Sequence, residues 1–252
     1  CSMQCGAQDP KLQWGLFLDT YYAFDANQPG NRERAYTTLP AKHNEFAIDL
    51  AYVEGVLKGD RVRGRLALQA GTSVLANYSA EYRDPTKTGG QAADLLQHLQ
   101  EATMGYRLAE GLWLDAGILF SHIGMENFVS KSNWAYTRSL VADFSPYYQA
   151  GVRVSYDLNP RWAFQLHLLN GWQNILETNS DKALGTQVSF KPSKDISITH
   201  NTFLGNENGL RFFQDLLFVL QALPWWQSGL AIDFGVQGGA STRTWYGSSF
   251  QN

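Results

Sequence analysis

The stretch RVRGRLALQAGTSV, residues 61–74, separates into two faces when read at period two. Val62, Gly64, Leu66, Leu68, Ala70, Thr72 and Val74 fall on one side. Arg63, Arg65, Ala67, Gln69, Gly71 and Ser73 fall on the other. A strand this long exceeds the ~5–6 residues usual in soluble sheets. It is long enough to cross a bilayer at a tilt, which takes roughly 9–11 residues. Any fold open to this chain must supply an apolar environment on one side of the strand and a polar one on the other.

The pattern recurs. Strands are expected near 12–25, 45–56, 61–74, 99–108, 112–121, 147–156, 162–169, 184–191, 196–204, 212–222 and 229–237. Only AADLLQHLQ, 92–100, reads as a helical turn. The connections alternate: each odd-to-even junction is longer and polar, each even-to-odd junction a tight turn such as LKGDR or DLNP. An antiparallel up-and-down meander with long loops on one rim and short turns on the other is the plan of an all-β transmembrane barrel. In lipid only helices and closed barrels satisfy their main-chain groups, and bacterial barrels have even strand numbers. Eleven strands followed by GASTRTWYGSSFQN therefore predict a barrel domain over 12–252 that lacks C-terminal strands. Residues 1–11 read as a signal-peptide remnant or N-terminal extension, with a lipid-modified start at Cys1 as the other reading.

Composition narrows the alternatives. Eight Trp, 12 Tyr and 14 Phe accompany a charged fraction of only 17%, which argues against disorder. No apolar run approaches the ~18 residues of a membrane helix. A net charge of −3 gives no reason to expect nucleic acid. Cys1 and Cys5 precede the first strand, so the body of the chain has no disulfide framework or cysteine metal site. A soluble sandwich would show the same alternation, with its apolar face turned inward. Aromatic placement discriminates. Trp14, Tyr106, Trp113, Tyr156, Trp162, Trp225 and Trp226 lie by the chain start or the short turns, whereas Tyr22, Phe24, Phe120, Tyr148 and Trp172 lie by the long loops. Two such belts are expected where a wall meets two membrane interfaces.

Several segments look specific beyond periodicity: LDTYYAFD (18–25), RVRGRLALQAGT (61–72), LWLDAGILFSHIG (112–124), TRSLVADFSPYYQAGVR (137–153), LNGWQ (169–173) and FLGNENG (203–209). Together they resemble the OmpL-like β-barrel porins of Gram-negative bacteria. The SHIG and TRSLVADFSPYY parts carry the resemblance furthest, because alternation does not require them. The resemblance implies an outer-membrane channel.

In a barrel the polar face lines the lumen. Asp19, Glu45, Asp49, Arg63, Arg65, Gln69, Glu101, Arg107, Asp115, Arg153, Asp215 and Asp233 are the expected lining. With both signs present, either a water-filled pore of weak ion preference or cross-strand bracing accounts for them. The 122–145 loop, with Glu126, Lys131, Arg138 and Asp143, is the candidate constriction, against the plainer reading of a solvent-facing loop. His43, His98, His122, His167 and His200 stand in no GxSxG or HExxH context, so no enzyme and no cofactor is expected. The expected function is passive diffusion of small hydrophilic solutes or ions through an outer-membrane porin. A closed barrel serving as anchor or docking surface is the alternative, and an outer-membrane hydrolase a weaker one. Expected partners are outer-membrane lipid and the solutes themselves, with a homo-oligomer left open.

Overall fold

The computed structural model of the chain describes residues 9–79, 81, 94–177, 179–239, 244–245 and 248–251. The leader expected at the N-terminus lies, for residues 1–8, outside the described residues. Eleven long strands follow one another: β1 (Lys11–Tyr22), β2 (Phe46–Lys58), β3 (Val62–Ala70), β4 (Leu99–Ala109), β5 (Leu112–Phe120), β6 (Tyr148–Asn159), β7 (Trp162–Leu169), β8 (Ala183–Phe190), β9 (Ile196–Asn206), β10 (Leu210–Leu223) and β11 (Trp226–Gln237). Each pairs antiparallel with the next, so sequence order is spatial order. The segment after β11 contributes two short pieces, β12 (Thr244–Trp245) and β13 (Ser248–Gln251), both antiparallel to β11. The sheet does not close on itself: β1 pairs with β2 alone among the described residues.

Burial settles which face is which. Leu16 is 82% exposed and Phe46 89%, and Leu66, Met104, Leu166, Leu184, Leu216 and Ile232 are exposed as well. Asp49 and Asp215, on the opposite face, are 0% exposed. A soluble sandwich buries its apolar face, so this inverted partition is that of a wall whose greasy side meets lipid. The short-turn belt is present in Trp14, Tyr106, Tyr156, Trp225 and Trp226, all exposed, and in Trp162, whose ring stacks on Phe190 at 4.2 Å.

Three expectations about strand faces are corrected. β3 ends at Ala70, because Gly71 (φ 145°) brings its backbone so close to the Asp49 carbonyl that a Cβ would stand 2.1 Å from the oxygen. Thr72 and Val74 then belong to a short helix, α1 (Thr72–Asn77). In β2 the register against β1 slips at Asp49, a bulge that turns Leu50 and Tyr52 to the inner side instead of the lipid side. Among the long-loop aromatics only Tyr22 and Phe24 face outward; Tyr148 stacks on Tyr78 at 4.1 Å, Trp172 packs edge-on to Phe203 and Phe213, and Phe120 lies 5.3 Å from the inward Arg65. Trp113 of the opposite belt also points inward, under the Arg63 guanidinium at 4.4 Å.

The inner face is therefore divided along the strands. Toward the long loops it carries two apolar clusters, one around Leu50, Tyr52, Val74, Tyr78, Phe128 and Tyr148, the other around Ile123, Leu169, Phe203 and Phe213. Toward the short turns it is polar. If the outer face meets lipid, Leu166→Arg costs about 2–4 kcal/mol in vesicles, as a cation near the bilayer midplane does. Denaturant titration in phospholipid vesicles, against the inward Gln165→Arg, checks the difference.

Candidate functional site

The polar half of the inner face is built from two ion-pair ladders. Arg65 donates from Nε to Glu54 at 2.6 Å, from Nη1 to Glu101 at 2.5 Å and from Nη2 to the Gln100 amide oxygen at 3.0 Å. Arg63 donates from Nε and Nη2 to the two oxygens of Asp115, at 2.7 and 2.6 Å, and Arg153 shares the same carboxylate at 3.1 Å. Such forked pairs suit guanidinium and carboxylate geometry. The glycines beside them do not leave open space. A Cβ on Gly15 would stand 2.5 Å from the Glu54 carboxylate, and one on Gly105 would stand 2.2 Å from that of Asp115. These small residues seat their neighbours' charged side chains. Arg107, at the short-turn end of β4, is exposed.

Of the other expected lining residues, Gln69, Asp49 and Asp215 are sealed from the lumen. Gln69 is buried and donates to the Gln97 carbonyl at 2.8 Å. Both carboxylate oxygens of Asp49 lack a hydrogen-bond donor among the described residues. Asp215 accepts from the Gly124 amide at 2.6 Å and stands opposite Asp233 on β11, itself half-buried. Glu45 is half-buried just ahead of β2.

The connection between β5 and β6 folds across this inner face. Ser130 donates to Asp19 on β1 at 2.5 Å, and Tyr136 donates to the other oxygen at 3.2 Å. At the far side Met125 and Trp134 lie against Gly229 of β11. Of the four charges expected to form a constriction, three hold the loop together. Arg138 pairs with Asp143 at 3.5 Å, donates to the Thr38 hydroxyl and covers the Tyr147 ring at 4.1 Å. Glu126 accepts from the Ser139 amide at 2.9 Å and from its hydroxyl. Lys131 remains exposed, over the rings of Phe17 (4.8 Å) and Tyr52 (5.3 Å).

The root of the loop is a residue set that alternation does not pick out. His122 bridges the Gln149 side chain (3.0 Å) and the Thr202 carbonyl (2.9 Å), and its ring stacks on His167 at 4.1 Å. Gln187 donates to the His122 carbonyl at 3.1 Å. This is the SHIG segment. Ser121 caps the Ile123 amide at 3.1 Å instead of engaging the imidazole. Burial holds the His122 pKa below the usual histidine value, with the Arg153 charge acting in the same direction and the two hydrogen bonds opposing it.

That shift has a sign. The unfolded chain takes up a proton near pH 6.5 while the folded loop root does not, so its stabilising contribution is complete above pH 6.5 and declines as pH falls below it. Relative to an unstructured peptide cut under the same conditions, trypsin cleavage after the buried Arg138 is expected to accelerate between pH 7.5 and 5.5, and the acceleration should be smaller in His122→Gln. Asp115→Asn leaves two guanidinium groups sharing a neutral amide; with Arg63 about a third exposed, the loss is about 1–3 kcal/mol. Denaturant midpoints of Asp115→Asn, Arg63→Gln and the double variant measure the coupling.

A family model described as "Putative beta-barrel porin-2, OmpL-like" matches residues 11–251. No curated protein matches the chain. With nearly the whole chain covered and the burial inverted as a lipid-facing wall requires, this chain belongs to the OmpL-like porin-2 family of membrane β-barrels.

Proposed function

We propose that the protein is an outer-membrane porin that passes small hydrophilic solutes through a water-filled lumen narrowed by the 121–147 loop. The observation that carries this reading is the loop itself: it is tied to Asp19 on β1 and rests against Gly229 on β11, with Lys131 left exposed on its inner side. A chain that needed only to fill a barrel would not require charged wall ladders with partly exposed guanidinium groups facing such a loop. The other reading, a closed barrel that anchors or docks, is favoured by the two apolar clusters beneath the long loops.

Single-channel recording of the folded protein in planar bilayers separates the two. Discrete openings are expected; stable insertion without openings would leave the anchor. Removing the loop's hold on β1 with Ser130→Ala/Tyr136→Phe should raise the conductance by about twofold or make it fluctuate between levels, because the narrowing element loses its tether. An unchanged conductance would remove the loop from the pore.

A further inference from the structure

Across β1, β2 and β3 the residues Lys11, Lys58 and Arg63 form one row, each the direct cross-strand neighbour of the next. All three lie on the strand face of Glu54 and Arg65, which pair on the inner side. On β4, Arg107 takes the same face two positions from Gly105, where a Cβ would meet Asp115. Lys11, Lys58 and Arg107 are exposed, and among the described residues no carboxylate pairs with them. Like charges directly opposite each other weaken a sheet. Of the acids at this rim, Asp9 precedes β1 and Asp60, Glu110 and Asp195 lie in turns, while Asp157 on β6 shares the inner face of Arg153 and Ser155 and offsets part of the positive charge. Deeper in the wall the charges neutralise one another, Arg65 between Glu54 and Glu101, Arg63 and Arg153 around Asp115. Positive charge without a partner is thus concentrated at the short-turn mouth.

We propose that this mouth is an anion-collecting vestibule, in which Lys11, Lys58 and Arg107 capture small carboxylate- or phosphate-bearing solutes ahead of the neutralised wall. The transit of those solutes rests on the porin reading; their capture does not. A recess in which one sign of charge predominates, backed by low-dielectric wall, focuses its field and raises the local concentration of counter-ions. The mouth therefore favours anions although the lumen as a whole holds both signs. Trp113, the direct cross-strand neighbour of Arg107, stands inside the vestibule as a reporter.

Two measurements on the folded protein test this. In a tenfold KCl gradient the reversal potential should show chloride preferred over potassium by about threefold, weakening toward 1 M salt, where the screening length falls to ~3 Å. The variant K11Q/K58Q/R107Q, altered only at exposed positions, should lose at least half of that preference. Openings without anion preference, or a preference the variant retains, would overturn the proposal. Independently, with each ion's quenching normalised to that of free N-acetyltryptophanamide, the fluorescence lost on Trp113→Phe should be quenched more strongly by iodide than by caesium, and the triple variant should erase the difference. Absence of openings with the iodide preference intact would remove the porin reading and leave the vestibule standing. Equal quenching by the two ions would do the reverse.

Discussion

Main-chain amides and carbonyls in hydrocarbon have no partner except the next strand. Everything in this protein follows from meeting that demand with an antiparallel sheet. Eleven strands pair in sequence order, the tight turns add no exposed backbone to the wall, and the side chains sort by alternation into a lipid face and an inner face. Polar groups then accumulate on one side in numbers that no soluble core would accept. They are stabilised by pairing with one another, as in the sharing of Asp115 between Arg63 and Arg153.

Departures from the regular sheet cluster where the long connections meet it. The slip at Asp49 turns Leu50 and Tyr52 inward, and Tyr52 becomes a platform under Lys131. A second slip, opposite Ala67 and Leu68, gives β4 the extra residue Gln100, whose amide oxygen accepts from Arg65. Gly71 halts β3 and sends the chain into α1, from which Val74 reaches the inner cluster. Each irregularity turns a side chain inward, and at Leu50, Tyr52 and Val74 it gives the loops apolar surface on which to rest.

The strands, their order and the asymmetry of the connections were legible in the sequence because period two and turn chemistry are local properties. Leu66, Leu68, Arg63 and Arg65 lie on the faces that alternation assigns them. Alternation failed at Leu50 and Tyr52 because a bulge inserts one residue and reverses the parity beyond it, and nothing in FAIDLAYV marks where that happens. It also could not separate an interfacial aromatic from one that packs inward beside the loops, which is why Phe120, Tyr148 and Trp172 were placed in a belt they do not join. The expected constriction residues were the right segment with the wrong emphasis. Arg138 and Asp143 hold each other, while the anchoring side chains, Ser130, Tyr136 and His122, are uncharged or buried and carry no pattern of their own. Only His122 left a trace, in a SHIG segment that exceeds what a strand needs; Ser130 and Tyr136 lie between it and TRSLVADFSPYY.

The loop's two attachments have a consequence for how wide the wall can open. Ser130 is fastened to β1 and Trp134 rests on β11, four residues apart in the chain. Four residues span at most about 14 Å of extended backbone. The first and eleventh strands are therefore held within a short span of each other across the interior, and the curvature of the whole sheet is gauged from inside by one segment. Such a segment acts as a caliper: with Ser130 and Trp134 seated, the separation of β1 and β11 is set from inside the sheet.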